Sequence, residues 1–547
     1  MRLSFSQFIH FSIVYRLLFL LTACQALFAQ DRYPRNHAIN ILEYSFRINL
    51  NDTTDVISVA AGIRLLFRES DNKIAFDLVE QKRTGKGMKV VSVSYDGEVA
   101  TYTHVNDRLT ISLAAPAQPQ REHTVLVKYE GIPSDGLIIS KNKFGDRTFF
   151  GDNWPDRGRH WLACVDHPYD KARVEFIVTA PEHYQVVATG KLVEESNLDQ
   201  QRKLTHWRET ADVPVKVMTI GVARFAVQLS GEVTHVPVTT WVYPQNRDAG
   251  FSDFAVAPKV FAFLQDHIGP YPYEKLAHVQ SKTRFGGLEN AGNIFYFENA
   301  VNGNNERESL IAHETAHQWF GNAASEADWY HVWLSEGFAT YLTHVYLEHT
   351  YGTERLQSEL ASDREEVIKF SRKNQKPVVD TTIMKVDEVL STNTYQKASW
   401  VLHMLRQRIG DNAFHQSIRE YYLTYKNSNA LTRDFQRICE KNSQQDLSAF
   451  FQQWLFRGGH PRIELSWHYS ERSKVWSATV LQKQENSSFQ FPLEVAIVGE
   501  SGEEQVIEIP VTQARMAWQV PVSFKPKVVR MDPAVKLLCE GEVKQLR

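Results

Sequence analysis

His313-Glu314-Thr315-Ala316-His317 is an HExxH run set in the apolar-spaced stretch IAHETAHQWF. On a helix, residues four apart share a face, so His313 and His317 present two imidazoles to one ion, with Glu314 beside a water at that ion. A hydrolytic zinc site uses three protein ligands and keeps one position open, so a third ligand must come from another element. Glu336, in WLSEGFATY, follows His317 after eighteen residues, enough for a turn and the start of a returning helix. Two imidazoles and a carboxylate suit one Zn²⁺ better than Mg²⁺. The alternative is two hydrogen-bonded buried histidines and a solvated helix charge; a glutamate at this spacing counts against it.

The elements that must position these residues are legible in outline. The chain has 547 residues, enough for about three or four domains. Its 43% hydrophobic and 23% charged content is that of a folded globular protein. With 61 Lys plus Arg against 64 Asp plus Glu, the net charge of −3 supplies no bulk field for nucleic acid or an anionic membrane. Between about 38 and 230, runs such as YSFRINL, KIAFDLV, RLTISLAA and YQVVATG alternate polar and apolar residues, predicting an N-terminal antiparallel β domain. Helical spacing takes over from about 240, with Gly352 and Gly410 as expected helix stops. Strand alternation resumes after Phe456-Arg457-Gly458-Gly459-His460-Pro461, predicting a closing β-sandwich. The expected boundaries are 30–235, 236–460 and 461–547.

The first 29 residues read as an export signal: basic Arg2 and Arg16, the apolar run LLFLLTA, then small residues. Leu21-Thr22-Ala23-Cys24 resembles a lipobox, which would lipidate Cys24 and tether the chain to a membrane; cleavage near Ala29 would release it, and release is the preferred reading. The expected location is periplasmic or extracellular. Cys164, Cys439 and Cys539 are an odd, widely spaced set, no disulfide framework. Oligomeric state stays open.

With these motifs in view, the sequence resembles the M1 family of zinc aminopeptidases, the gluzincins. The resemblance implies a thermolysin-like α+β catalytic domain and zinc held by His313, His317 and Glu336. Gly286-Gly287-Leu288-Glu289-Asn290 is similar to the family's GxMEN strand, with Leu288 where methionine is usual. Tyr395-Gln396-Lys397-Ala398-Ser399 resembles its Tyr-x-Lys-Gly-Ala motif without the glycine. The stretch Arg159 to Pro168 is similar to its RxWxPCxDxP loop, and Gly269-Pro270-Tyr271-Pro272-Tyr273 to its G-x-YPY stretch. By this resemblance Glu314 moves protons, Tyr395 stabilises the oxyanion, and Glu289 binds the free α-ammonium of a peptide substrate. Gly286, Gly287 and Asn290 would line the substrate strand.

A family glutamine that helps hold the amine falls near Asn153 or Trp154, neither of which is glutamine. His331 is a candidate to orient a metal ligand, with a packed or surface histidine as the alternative reading. Asp387 matches an aspartate of the leukotriene hydrolase branch, but Leu390 stands where that branch has tyrosine, so epoxide hydrolysis is not inferred. The final sandwich resembles a third domain with no helical fourth after it, and a more exposed active site is expected. The competing functions are a zinc endopeptidase, which Glu289 argues against, and a silent peptide-binding protein, which Glu314 and Tyr395 argue against.

Overall fold

The computed structural model describes residues 31–485 and 487–546; the expected signal and Cys24 lie outside them. The alternating segments form strands whose alternate side chains are buried. In Ile57–Phe67 every second residue faces the core. An eight-stranded sheet runs Lys191–Leu198, Arg202–Val213, Ala172–Pro181, Ile39–Asn49, Ile57–Phe67, Glu122–Ile132, Gly87–Tyr95, Glu98–Val99. It is antiparallel except where Ile39–Asn49 and Ala172–Pro181 run parallel, which the alternation did not reveal. A four-stranded and a three-stranded sheet complete this N-terminal unit.

The central unit combines a mixed five-stranded sheet with helices. Its strand order is Ala226–Val233, Val236–Val242, Leu276–Ser281, Asn293–Phe297, Gly287–Leu288. Ala226–Val233 pairs antiparallel with Val236–Val242. The boundary expected at 235/236 therefore falls at the tip of a hairpin, and by sheet membership Ala226–Val233 already belongs to the central unit. Helix Trp333–Tyr351 ends at Gly352 and helix Ala398–Ile409 at Gly410, both with positive φ, as expected. The last unit sets a four-stranded sheet beside a three-stranded one. Cys164, Cys439 and Cys539 are buried free thiols.

The N-terminal and central units are joined by buried polar contacts. Lys216 Nζ and Glu326 Oε1 pair at 2.5 Å with both side chains essentially inaccessible. Lys171 Nζ donates to the carbonyls of Asn322 and Ala323 at 3.0 and 2.7 Å. Arg35 pairs with Asp328 at 2.9 Å. Such a pair tolerates loss of both partners better than loss of one, because a lone buried charge keeps its full desolvation penalty. Lys216→Met is expected to cost about 3–5 kcal/mol. Lys216→Met with Glu326→Leu should recover most of it. Thermal midpoints of the three proteins check this, and equal midpoints for wild type and the single variant would refute it.

Candidate metal centre and active site

Helix Glu308–Ala316 carries the HExxH residues. Its apolar members Ile311, Ala312 and Ala316 are buried, and His317 continues the helical conformation at the C-cap. Helix Trp333–Tyr351 returns beside it and brings Glu336 in its first turn. Gly337 makes the next approach possible: a Cβ there would lie 2.6 Å from Ala398 Cβ. That closeness brings in the start of helix Ala398–Ile409 and the π-helical turn Asn393–Lys397 carrying Tyr395. Such turns recur at functional sites.

The two imidazole Nε2 atoms are 3.0 Å apart, and Glu336 Oε2 lies 3.6 Å from His313 Nε2 and 3.3 Å from His317 Nε2. A tetrahedral ion bound at about 2.0–2.1 Å separates its ligand atoms by roughly 3.3–3.4 Å, so this triangle fits one zinc. Among the described residues these three form the group able to hold an ion. His317 Nδ1 lies 3.2 Å from the Phe320 carbonyl and 3.1 Å from Ser335 Oγ. Donation to that carbonyl leaves Nε2 as the lone-pair nitrogen facing the ion. His331, expected near a ligand, instead hydrogen-bonds Thr432 Oγ1 at 2.7 Å. Thr432 also accepts from Trp333 Nε1 at 2.8 Å, so this cluster anchors the start of the Glu336 helix.

A cavity of about 350 Å³ opens over the triangle, lined by Glu289, Glu314, Tyr395, Gly286, Gly287 and Leu288 together with the three ligands. Asn290, expected to face substrate, is fully buried and outside this lining. A Cβ on Gly287 would sit 2.2 Å from Glu314 Oε1, so glycine is what lets this strand lie against the carboxylate. Burial pushes the Glu314 carboxyl well up, His317 opposes the rise, and Glu289 and Glu336 add to it. Burial also raises Glu289, again against His317. For His317 burial favours the neutral ring, but Glu336 and the other carboxylates prevail and lift it to about 9. Burial raises the Tyr395 phenol well above its ordinary value, with Glu336 next, so it stays a hydroxyl donor.

Residues that sequence reasoning passed over hold these groups. Gln318 Nε2 and Asn322 Nδ2 donate to the Glu289 carbonyl at 3.0 and 2.5 Å, and Gln318 Oε1 accepts from Gly292 N at 2.8 Å. Their position directly after HExxH was the available signal. Lys397 Nζ donates to the Gly459 carbonyl at 2.9 Å, tying the Tyr395 turn to the segment before the sandwich. Asn153 is spent structurally: its amide donates to Val215 and Met218 carbonyls and accepts from Trp161 Nε1. Arg159 closes its own loop on Asp166. Asp387 is exposed and does not line the cavity, whereas Leu390 does.

An HExxH helix beside a returning helix that supplies a glutamate, within a mixed α+β unit, defines a gluzincin-type zinc metallopeptidase centre. The Peptidase family M1 domain matches residues 253–454, and the Peptidase M1 N-terminal domain matches 40–215. The chain belongs to the M1 peptidase family. It is 24% identical over 426 residues to "Probable aminopeptidase 2" of Sulfurisphaera tokodaii, covering 74% of this chain and 52% of that protein. It is 25% identical over 464 residues to "Aminopeptidase M1-C" of Oryza sativa subsp. japonica, covering 80% and 51%. The chain thus spans about half the length of these relatives. The fold matches the crystal structure of an M1 zinc metallopeptidase from Deinococcus radiodurans with a TM-score of 0.66 at 22% identity, covering 78% of this chain and 95% of that one.

The geometry separates metal binding from proton handling. Glu336→Ala should lose stoichiometric zinc, whereas Glu314→Gln should retain it. Metal-to-protein ratios by plasma mass spectrometry check both, and a zinc-replete Glu336→Ala protein would refute the ligand set.

Proposed function

We propose that the protein is a zinc aminopeptidase, removing the first residue from peptides with a free α-amine. The observation that carries this is Glu289: its carboxylate lines the cavity that holds the three metal ligands, with Oε1 buried and without a protein partner. An unpaired buried carboxylate is costly, and a substrate ammonium is the partner that would satisfy it. The first peptide bond then lies over the triangle, and a chain extending further upstream would have to bury its amide against Glu289.

Bound zinc would supply Lewis acidity, making a water more acidic and polarising the scissile carbonyl. Glu314 lines the cavity beside the three ligands, placed to take the proton of the attacking water and pass it to the leaving amine. The Tyr395 hydroxyl donates to the oxygen that becomes negative as the carbonyl is attacked. Gly287, lacking a side chain, leaves the Glu314 carboxylate its place.

Short peptides and aminoacyl amides, each free and N-acetylated, test this with zinc-loaded protein. Only the free set should be cleaved. Glu314→Gln should lower kcat by about 10²–10⁴-fold, and Glu289→Ala should lower kcat/KM by about a hundredfold. Equal cleavage of blocked peptides would sink the Glu289 role and favour an endopeptidase; no cleavage would favour a peptide-binding protein.

We also propose export, on the character of residues 1–29. Fractionated cells should hold the protein outside the cytoplasm with its leader removed, by intact-mass measurement, and the new N-terminus distinguishes lipidated Cys24 from release near Ala29. An uncleaved cytoplasmic chain would refute this.

A further inference from the structure

The cavity over the metal triangle has a charged floor and an apolar wall. Its floor is the ligand triad with Glu289, Glu314 and Tyr395; the remaining side chains that line it are Trp154, Phe285, Leu288, Leu310 and Leu390. No Lys, Arg, Asp, Asn or Gln is among the lining residues. A basic side chain on the first substrate residue would find only carboxylates already engaged, and an acidic one would be desolvated beside three of them. A large apolar side chain meets matching surface.

The wall is built from two domains and held by one carboxylate. Trp154 stands edge-on to Phe285, ring centroids 6.1 Å apart, and to Trp329 at 5.7 Å. The Arg157 guanidinium lies over the Phe285 ring, 5.6 Å from its centroid, and pairs with Asp152. Asp152 is fully buried and also accepts from Thr283 Oγ1 and Arg284 N, each at 3.1 Å. Asp152, Trp154 and Arg157 belong to the loop after strand Arg147–Gly151, whereas Thr283 to Phe285 precede strand Gly287–Leu288 of the central sheet. One buried carboxylate therefore sets where an N-terminal-domain indole meets a catalytic-domain phenyl ring.

Resting on the aminopeptidase reading, we propose that the enzyme selects a large apolar or aromatic first residue, that Trp154 and Phe285 form the wall it contacts, and that Asp152 is the positioning residue of that wall. Leu288 extends the same surface from the strand bearing Glu289.

The test compares kcat/KM of zinc-loaded full chain on dipeptide amides beginning with Phe, Leu, Ala, Lys and Glu. Phe and Leu should exceed Ala by about tenfold to a hundredfold, with Glu lowest. Trp154→Ala should collapse the Phe-to-Ala ratio, and Trp154→Phe should restore most of it. Asp152→Asn should raise KM for the Phe substrate more than for Ala, with zinc content unchanged. A general loss of folding would instead lower all substrates alike and leave the ratio intact. Preference for Lys, Glu or Ala, or a ratio unmoved in folded, zinc-replete Trp154→Ala and Asp152→Asn proteins, overturns the proposal. If N-acetylated substrates are cleaved equally, the aminopeptidase reading fails while this one is still decided: the residue before the cut is large and apolar, or it is not. If nothing is cleaved, calorimetric binding of phenylalanine against glutamate decides it in the same sense.

Discussion

Charge balance in one buried pocket constrains the rest of the molecule. Glu289, Glu314 and Glu336 face the same cavity, each nearly inaccessible, with His313 and His317 among them. Like charges brought out of water cannot all ionise without a cation nearby. Burial raises the Glu314 and Glu289 carboxyls towards their protonated forms, and the carboxylates around His317 lift its ring to about 9, so an ion bound at Nε2 would displace a proton there. A divalent ion on the triangle and, on the proposed function, a substrate ammonium at Glu289 would complete the arrangement. Because the ligands must be deprotonated to bind metal, holding the ion and settling the pocket's charge are one event.

Such a pocket needs a scaffold that does not relax, and much of that scaffold comes from distant sequence. Glu289 is placed by its backbone, through Gln318 and Asn322 from the far side of the HExxH helix. Asn322 is in turn fixed by Lys171 of the N-terminal unit, which donates to its carbonyl. Lys216 reaches from that same unit into the central one to meet Glu326. The N-terminal domain is therefore a structural part of the active site, and the motif-like loop from Arg159 to Pro168 acts by holding its own shape and its neighbours, not by contacting the metal.

The readable parts of the site were those set by local spacing. HExxH implies its geometry because four residues make one helical turn, and Glu336 needed only one returning helix. Domain types were readable because periods of two and 3.6 differ plainly. Long-range pairing was not: the parallel join of Ile39–Asn49 with Ala172–Pro181 depends on which strands become neighbours, and the Ala226–Val242 hairpin changes sheets without any change in alternation. The surroundings of His331 and Asn290 were hidden for a related reason. Proximity in sequence to a ligand or a substrate strand does not say which way a side chain points, and here one meets Thr432 and the other is buried away from the cavity. The Asp152 clamp was invisible because its partners in the central unit, Thr283 and Arg284, lie 131 and 132 positions away along the chain.

On the proposed aminopeptidase reading, recognition of the substrate amine is concentrated on one group. Where the family resemblance seeks a glutamine, Asn153 has both its donor and acceptor capacity used within the fold. Its neighbour Trp154 offers only an N–H donor, which cannot accept a proton from an ammonium group. On that reading the ammonium would be held chiefly by Glu289, and a single charge pair could carry that duty because the cavity is apolar on its other side. In low dielectric the pair is stronger than in water, and Trp154, Phe285 and Leu288 supply that low dielectric. On the proposed function the aromatic wall would thus strengthen the same contact that fixes which peptide bond lies over the metal ligands.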